Sequence, residues 1–382
     1  MTDYDSVVVG GGIVGSATAY HLAREGCTTL LVDRGDAGRA TAAGAGIVFP
    51  ATSSRNESSA WFQFALQAAD HYRDLASELD RYDHTYTRPG LLAVAVDADE
   101  VGAFEESKRR SERRSGEYGH PRPGRFEEVS PERARELYPP LSEVERAMFY
   151  EDGARVDGQA FARSLRQASA AAGTTILDAD VTGVLVERGT VSGVSTADGD
   201  TYSADSVVVA GGAWSPTLAT DLGVDIPVEP QRGQIMHLDV GPIGCTRPTE
   251  GWPIVKAFRG HYQVPWPDDR VACGATRESG TGFEPHVTVG GLQEVSTEAL
   301  RVGSGMAEAR HLETRVGLRP ASADGLPIIG PVPAIEGAYL ATGHGPTGLT
   351  LGPYSGHVVA DFVLGERPEV DISPFRVDRF QA

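Results

Sequence analysis

The chain opens on a short apolar run, Ser6–Val9, which ends at Gly10 and predicts a buried strand. Ile13, Ala17, Tyr20 and His21 then recur at helical spacing over Ile13–Glu25. A second apolar run, Thr28–Val32, ends at Asp33. Strand, helix and strand within about 30 residues form a βαβ unit with parallel strands. Further helices are predicted over Ala60–Leu79, Glu105–Arg114, Pro131–Leu137, Asp157–Ala172, Thr288–Gly303 and Leu349–Leu364. Strand patterns cover Gly90–Val96, Thr174–Leu177, Val181–Glu187, Gly193–Thr196, Ser206–Ala210, Gln231–Val240, Tyr262–Pro265, Arg270–Gly274, Leu326–Ile329 and Ala338–Leu340. Asp198-Gly199 and Pro267-Asp268-Asp269 mark hairpins. Thr41–Phe49 reads as a glycine- and alanine-rich loop, and Gly345–Gly348 as a glycine turn.

The length of 382 residues allows two domains or one large α/β unit with insertions. Ordinary hydrophobic (40%) and charged (23%) fractions exclude disorder and coiled coil. The net charge of −19 excludes nucleic-acid binding through the overall field. Lys108 and Lys256 are the only lysines, and Asn56 is the only asparagine. Two readings cover that bias: GC-rich codon usage, or a halophilic protein with an acidic surface. Cys27, Cys245 and Cys273 form no C-x-x-C pair, which fits reduced thiols and a cytoplasmic location. Met1–Asp5 is acidic and leads into a strand rather than reading as a leader, and no run is long enough for a transmembrane helix. The sequon Asn56-Glu57-Ser58 is a pattern that chance supplies readily. No metal-ligand spacing and no G-x-S-x-G elbow occurs.

Gly10-Gly11-Gly12-Ile13-Val14-Gly15 fits G-x-G-x-x-G between a strand and a helix, and Asp33 stands 18 residues past Gly15. Gly10 permits the tight turn, and Gly12 lets a pyrophosphate approach the helix N-terminus. Gly15 lets the helix pack on the strand, and Asp33 receives ribose hydroxyls. The acid favours FAD or NAD over NADP, and the βαβ unit alone does not choose between them.

Arg39–Gly46, following that opening, resembles the flavin-binding start of the D-amino-acid oxidase and glycine oxidase superfamily. Val207–Ser215, Arg232-Gly233-Gln234, Gly274-Ala275-Thr276, Gly317–Pro320, Asp324–Gly330 and Thr342–Leu349 continue the match in the family's order. The resemblance implies an α/β fold. A Rossmann-like FAD-binding domain (1–85, 151–228 and 313–382) is interleaved with an antiparallel-sheet substrate domain (86–150 and 229–312). It also implies a role for each matched residue. Gly10, Gly12 and Gly15, with Ile13 and Val14, hold the pyrophosphate, and Asp33 and Arg34 the adenosine ribose. Thr41, Ala42, Gly46 and Ile47 line the flavin side. Val181 bonds adenine through its backbone, Gly211 and Trp214 close the nucleotide pocket, and Gly343, Gly345, Thr347, Gly348 and Leu349 lie by the isoalloxazine. Arg319 and Tyr262 grip a substrate carboxylate, while His344 beside the flavin tunes protonation or packs.

The implied activity is oxidation of an amino acid, a D-amino acid first. Hydride passes from Cα to flavin N5, and the imine hydrolyses to a keto acid and ammonia. A secondary amine such as sarcosine, proline or an opine is the alternative substrate. A nicotinamide-dependent oxidoreductase and a catalytically silent flavin-binding module are the competing classes. Two departures bear on this. Glycine oxidases carry an arginine in the loop that is Gly345-Pro346-Thr347 here, which points away from glycine. No lysine or cysteine stands where sarcosine oxidases place their oxygen-activating lysine and flavin-tethering cysteine, which implies non-covalent FAD. Oxygen, a quinone or another carrier then takes the electrons.

Overall fold

The computed structural model describes residues 3–54, 58–245, 247–333 and 335–380. Asn56 and Glu57 of the sequon, and Met1 and Thr2, lie outside the described residues. Two eight-stranded sheets organise the chain.

The first sheet starts from the predicted βαβ unit: strand Asp3–Val9, helix Ile13–Arg24 and strand Thr29–Val32, with the strands parallel. Val7, Val8, Leu30 and Leu31 have no exposed surface, as expected of parallel strands covered on both faces. Thr201–Val209 and Ala338–Thr342 extend the sheet in parallel on one side, and Thr175–Leu177 on the other. The antiparallel pair Val181–Glu187 and Thr190–Thr196 joins through Thr201–Val209. The 16-residue helix Gly348–Val363 packs across helix Ile13–Arg24.

The second sheet runs, in spatial order, through Arg310–Ser322, Val228–Asp239, Arg270–Gly274, Tyr262–Pro265, Ile254–Ala257, Leu91–Ala95, Arg146–Tyr150 and Phe126–Val129. Its pairs are antiparallel except one. Ile254–Ala257 lies parallel to Leu91–Ala95, where segments far apart in sequence meet. Strand Arg310–Ser322 pairs along the whole of Val228–Asp239. Arg319 therefore stands on the second sheet, although sequence reading grouped residues 313–382 with the nucleotide-binding part.

Several elements differ from the hydrophobic pattern. The loop reading of Thr41–Phe49 gives way to a short helix, Ala40–Ala43, and a two-residue strand, Ile47–Val48. The charged helix is longer than predicted and spans Val101–Tyr118. Strands Phe126–Val129, Arg146–Tyr150, Ile254–Ala257 and Arg310–Ser322 carried no clear alternation in the sequence.

Candidate active site

The two sheets flank one long cleft with a cavity volume of about 710 Å³. That lies within the range of small-molecule and cofactor sites, roughly 300–1,000 Å³.

At one end the glycine turn does what its spacing requires. Gly10 has φ +108°, and a Cβ there would lie 2.5 Å from the Ala210 carbonyl oxygen. A Cβ on Gly15 would lie 1.9 Å from the Gly10 carbonyl oxygen, so only glycine lets helix Ile13–Arg24 seat on its strand. Gly12 caps that helix without a side-chain hydrogen bond of its own, and the Ile13 N–H donates to Thr41 Oγ1 (3.0 Å). The helix thus turns its positive end to the cleft. Asp33 closes the turn, accepting from Arg39 Nη1 (2.9 Å) and the Gly35 N–H (3.1 Å). Arg166 donates to the Gly11 carbonyl, and its own burial lowers its pKa. Arg34 bonds Asp36 (2.6 Å) and Asp180 (2.9 Å), and its guanidinium lies 5.7 Å from the Trp214 ring centroid.

In the middle, residues Gly345, Pro346, Thr347, Gly348, Leu349 and Thr350 line the cleft where helix Gly348–Val363 begins. Thr350 Oγ1 donates to the Ile47 carbonyl (2.9 Å) and Tyr72 to the Leu349 carbonyl, which ties this helix start to the Gly44–Val48 segment. His344 is 3% exposed, and its Nε2 meets Ser355 Oγ at 2.9 Å. Burial pushes its pKa down to about 4, so it is neutral at pH 7. Of the two readings of His344, burial and the Ser355 contact favour packing.

At the other end, one face of the second sheet forms the floor. Directly paired residues share a face, and so do alternate residues along a strand. Lys256 pairs Tyr262, Tyr262 pairs Gly274, and Gly274 pairs Ile235. Two residues along, Gly233 pairs Gly317, and two further Gln231 pairs Arg319. A Cβ on Gly233 would lie 2.2 Å from Arg319 Nη2, and one on Gly274 would lie 2.8 Å from the Tyr262 hydroxyl. Both glycines leave the floor open for the larger side chains. Arg319 Nη1 donates to the carbonyls of Thr276 (3.0 Å) and Arg232 (3.4 Å). Among the described residues no carboxylate lies within 4.0 Å of its guanidinium, and Nε and Nη2 have no protein partner. Burial lowers its pKa, and nearby Arg277 acts in the same direction.

Of the residues singled out in the sequence, Gly10, Gly12, Ile13, Val14, Asp33, Arg34, Thr41, Gly46, Ile47, Val181, Gly211 and Trp214 line the cleft. So do Tyr262, Arg319, His344, Gly345, Thr347, Gly348 and Leu349. Gly15, Ala42 and Gly343 do not. Gly15 acts through packing. The Ala42 carbonyl instead accepts from Arg315 (3.5 Å), and a Cβ on Gly343 would meet Ser322 and Ile328. Sequence reading missed Arg110, Lys256 and Arg277, which also line the cleft. Lys256 was legible only through its hairpin, since the turn around Gly260 sets it opposite Tyr262.

The long cleft, the glycine turn at a helix N-terminus and the acid at the strand end fit a dinucleotide. The family model described as FAD dependent oxidoreductase, abbreviated DAO, matches residues 5–362. The Bacillus subtilis (strain 168) oxidoreductase YurR is 37% identical over 375 residues, covering 97% of each chain. Glycine oxidase of Pseudomonas putida is 32% identical over 379 residues, again with 97% of each chain covered. The crystal structure of iminodiacetate oxidase from Chelativorans sp. BNC1 superposes with a TM-score of 0.91 at 35% identity, covering 97% of this chain and 98% of that one. The chain belongs to the DAO family of FAD-dependent oxidoreductases, enzymes that act on C–N groups.

Proposed function

We propose that the protein oxidises the C–N bond of a small amine that carries a carboxylate, with non-covalently bound FAD. The observation that carries this is Arg319. A buried guanidinium on the cleft floor, with Nε and Nη2 unpartnered and no carboxylate within 4.0 Å among the described residues, is prepared for a substrate carboxylate. Bound FAD supplies the two-electron acceptor for this chemistry.

The chain's own residues do the positioning. Gly10–Val14, Asp33, Arg34, Val181, Gly211 and Trp214 would hold the nucleotide half, and Thr41, Gly46, Ile47 and Gly345–Leu349 the ring system. The start of helix Gly348–Val363 would set positive potential beside that ring system. Arg319 and Tyr262 orient the carboxylate and so fix the direction of the Cα–H bond. Neutral His344, bonded to Ser355, packs the wall and leaves the substrate amine to lose its proton to water. Cys27, Cys245 and Cys273 are unpaired and, among the described residues, no cysteine lines the cleft, which supports non-covalent FAD and a cytoplasmic location. Among the described residues no helix is long and apolar enough to cross a membrane.

The substrate has two readings. D-amino acids follow from the sequence resemblance. A secondary amine is favoured by the similarity to iminodiacetate oxidase, while the missing arginine at Gly345-Pro346-Thr347 argues against glycine. Anaerobic bleaching of the bound flavin by D-alanine, D-proline, sarcosine, glycine and iminodiacetate tests the proposal. At least one is expected to bleach the flavin, and readmitted air then reports whether oxygen accepts the electrons. A flavin that none of these amines reduces would leave the silent-module reading standing.

A further inference from the structure

Arg232-Gly233-Gln234 and Gly274-Ala275-Thr276 stand out in the sequence, yet of these six residues only Gly233 lines the cleft. Arg232, Gln234 and Thr276 are buried, and they converge on one carboxylate, Glu278. Glu278 Oε2 accepts from Arg232 Nη2 (2.6 Å) and Nε (3.1 Å). Its Oε1 accepts from Gln234 Nε2 (2.7 Å) and Thr276 Oγ1 (2.7 Å). The Gln234 N–H donates to Thr276 Oγ1 (3.0 Å). The Gln234 side-chain amide also bonds the N–H (3.0 Å) and hydroxyl (2.9 Å) of Thr288, which caps helix Val289–Val302. The backbones of Arg232 and Glu278 exchange two N–H···O bonds, each 2.9 Å. Burial alone would raise the Glu278 pKa, but the bonds it accepts outweigh that and hold the carboxyl below its usual range.

The same segments supply the carbonyls of Thr276 and Arg232 that accept from Arg319 Nη1. The guanidinium also rests on Gly233, where a Cβ would meet Nη2, Cζ and Nη1 at 2.2, 2.4 and 2.4 Å. One nitrogen is thus tied and one face covered. The edge left to a ligand is Nε–Nη2, whose N–H groups run parallel and match the two oxygens of a carboxylate. We infer that Glu278 is a positioning residue for Arg319. By locking the Thr276 and Arg232 carbonyls, it turns the Nε–Nη2 edge to the substrate carboxylate. This deepens the proposed function and rests on it, because Arg319 must be the carboxylate grip. Glu278 does not act by touching Arg319. Its charge is paired with Arg232 at 2.6 Å, and among the described residues no carboxylate lies within 4.0 Å of the Arg319 guanidinium. An unheld arginine samples many rotamers, and few of them present a planar two-pronged edge. Holding the side chain before substrate arrives removes that ordering cost from binding.

An unreactive ether tests this on the holoenzyme. Methoxyacetate copies sarcosine with oxygen in place of nitrogen, and its dissociation constant is read from perturbation of the flavin absorbance. Glu278→Gln is expected to weaken methoxyacetate binding at least about tenfold with flavin content unchanged, because a two-pronged charged bond becomes a single one. An effect of charge alone has the opposite sign. Burial lowers the Arg319 pKa and the Glu278 charge opposes that through space, so removing the charge without moving Arg319 would tighten anion binding. The Arg319→Lys background separates positioning from a general loosening of the fold. Lysine is a point charge with no planar edge to aim, so adding Glu278→Gln to Arg319→Lys should change the affinity by about threefold or less. Equal or tighter binding by Glu278→Gln overturns the inference, as does an undiminished loss in the Arg319→Lys background. If Glu278→Gln loses its flavin, Thr276→Val, which removes the hydroxyl between Glu278 and the Gln234 backbone, replaces it under the same criteria. Arg319→Lys that binds methoxyacetate as wild type does would refute the grip, and with it the proposed function. A weakened Arg319→Lys beside an unaffected Glu278→Gln would refute the positioning alone.

Discussion

The two ends of the cleft are built on opposite plans. At the nucleotide end the charges cancel locally. Asp33 is held by Arg39 at 2.9 Å, and Arg34 by Asp36 and Asp180 at 2.6 and 2.9 Å. Recognition there falls to backbone N–H groups, a helix end and close-packed glycine. At the other end backbone recedes, and among the described residues the side chains of Arg319, Tyr262, Arg277 and Arg110 line the wall. On the proposed function, an anion spread over a long cofactor would meet many weak, rigid donors, and a compact anion one strong, desolvated side chain. Damage to the first plan should therefore remove the cofactor, and damage to the second should remove only substrate affinity.

The largest effect is expected from Gly15→Val. Its Cβ would overlap the Gly10 carbonyl, which is backbone and cannot swing aside, and Val8 Cγ1 lies 3.2 Å away. The helix must lift off the strand, so the variant should purify colourless or fail to fold. The 450 nm to 280 nm absorbance ratio, with far-ultraviolet circular dichroism, checks this. A yellow, folded Gly15→Val protein would mean that the turn tolerates a displacement its geometry forbids.

The same contrast explains what could be read from the sequence. The nucleotide end is local: Gly10–Gly15, Asp33 and Thr41 lie within one βαβ unit and its following segment, so spacing alone announces the chemistry. The second sheet's floor is made by register. Lys256, Tyr262, Gly274, Gly233 and Arg319 come from five strands, and only the pairing of those strands puts them on one face. Arg319 and Tyr262 were found through family resemblance. Lys256 was passed over because a lone lysine in an unremarked four-residue strand carries no pattern. His344 lines the cleft wall, but its downward-shifted pKa depends on a degree of burial that no local pattern encodes.

Arg319→Ala tests the second plan. Flavin content should match wild type, while the KM for the best amine substrate rises at least ~100-fold, as a buried charged grip is lost. Gly233→Ala should act more gently along the same line. Its methyl would press on the tip of the Arg319 side chain, which can move, so KM should rise by about tenfold with flavin retained. Steady-state kinetics at matched flavin content separate the cases. Loss of flavin in Arg319→Ala would show that the two ends are not independent.

The smallest effect concerns acid stability, and it belongs to the layer over the nucleotide sheet. His21, His71 and His357 come from three packed helices, with ring centroids 4.6 to 5.3 Å apart. His71 is pushed down to about 3, chiefly by burial, with His357 and Arg24 adding to it. His21 is pushed down too, again chiefly by burial. Both are neutral in the folded protein near pH 5, whereas an unfolded histidine takes a proton below about pH 6.5. The unfolded state then binds more protons, and stability falls as pH drops from about 6.5 toward about 3. Each such histidine adds at most ~1.4 kcal/mol per pH unit to that slope. His71→Gln removes one of them. Its melting temperature should fall less steeply than that of wild type between pH 6 and pH 4.5, by roughly 2 °C per pH unit. The starting melting temperature is irrelevant to the slope, so a destabilised variant still gives the answer. Identical slopes would mean that His71 takes up its proton without unfolding and that this layer opens more readily than its packing indicates.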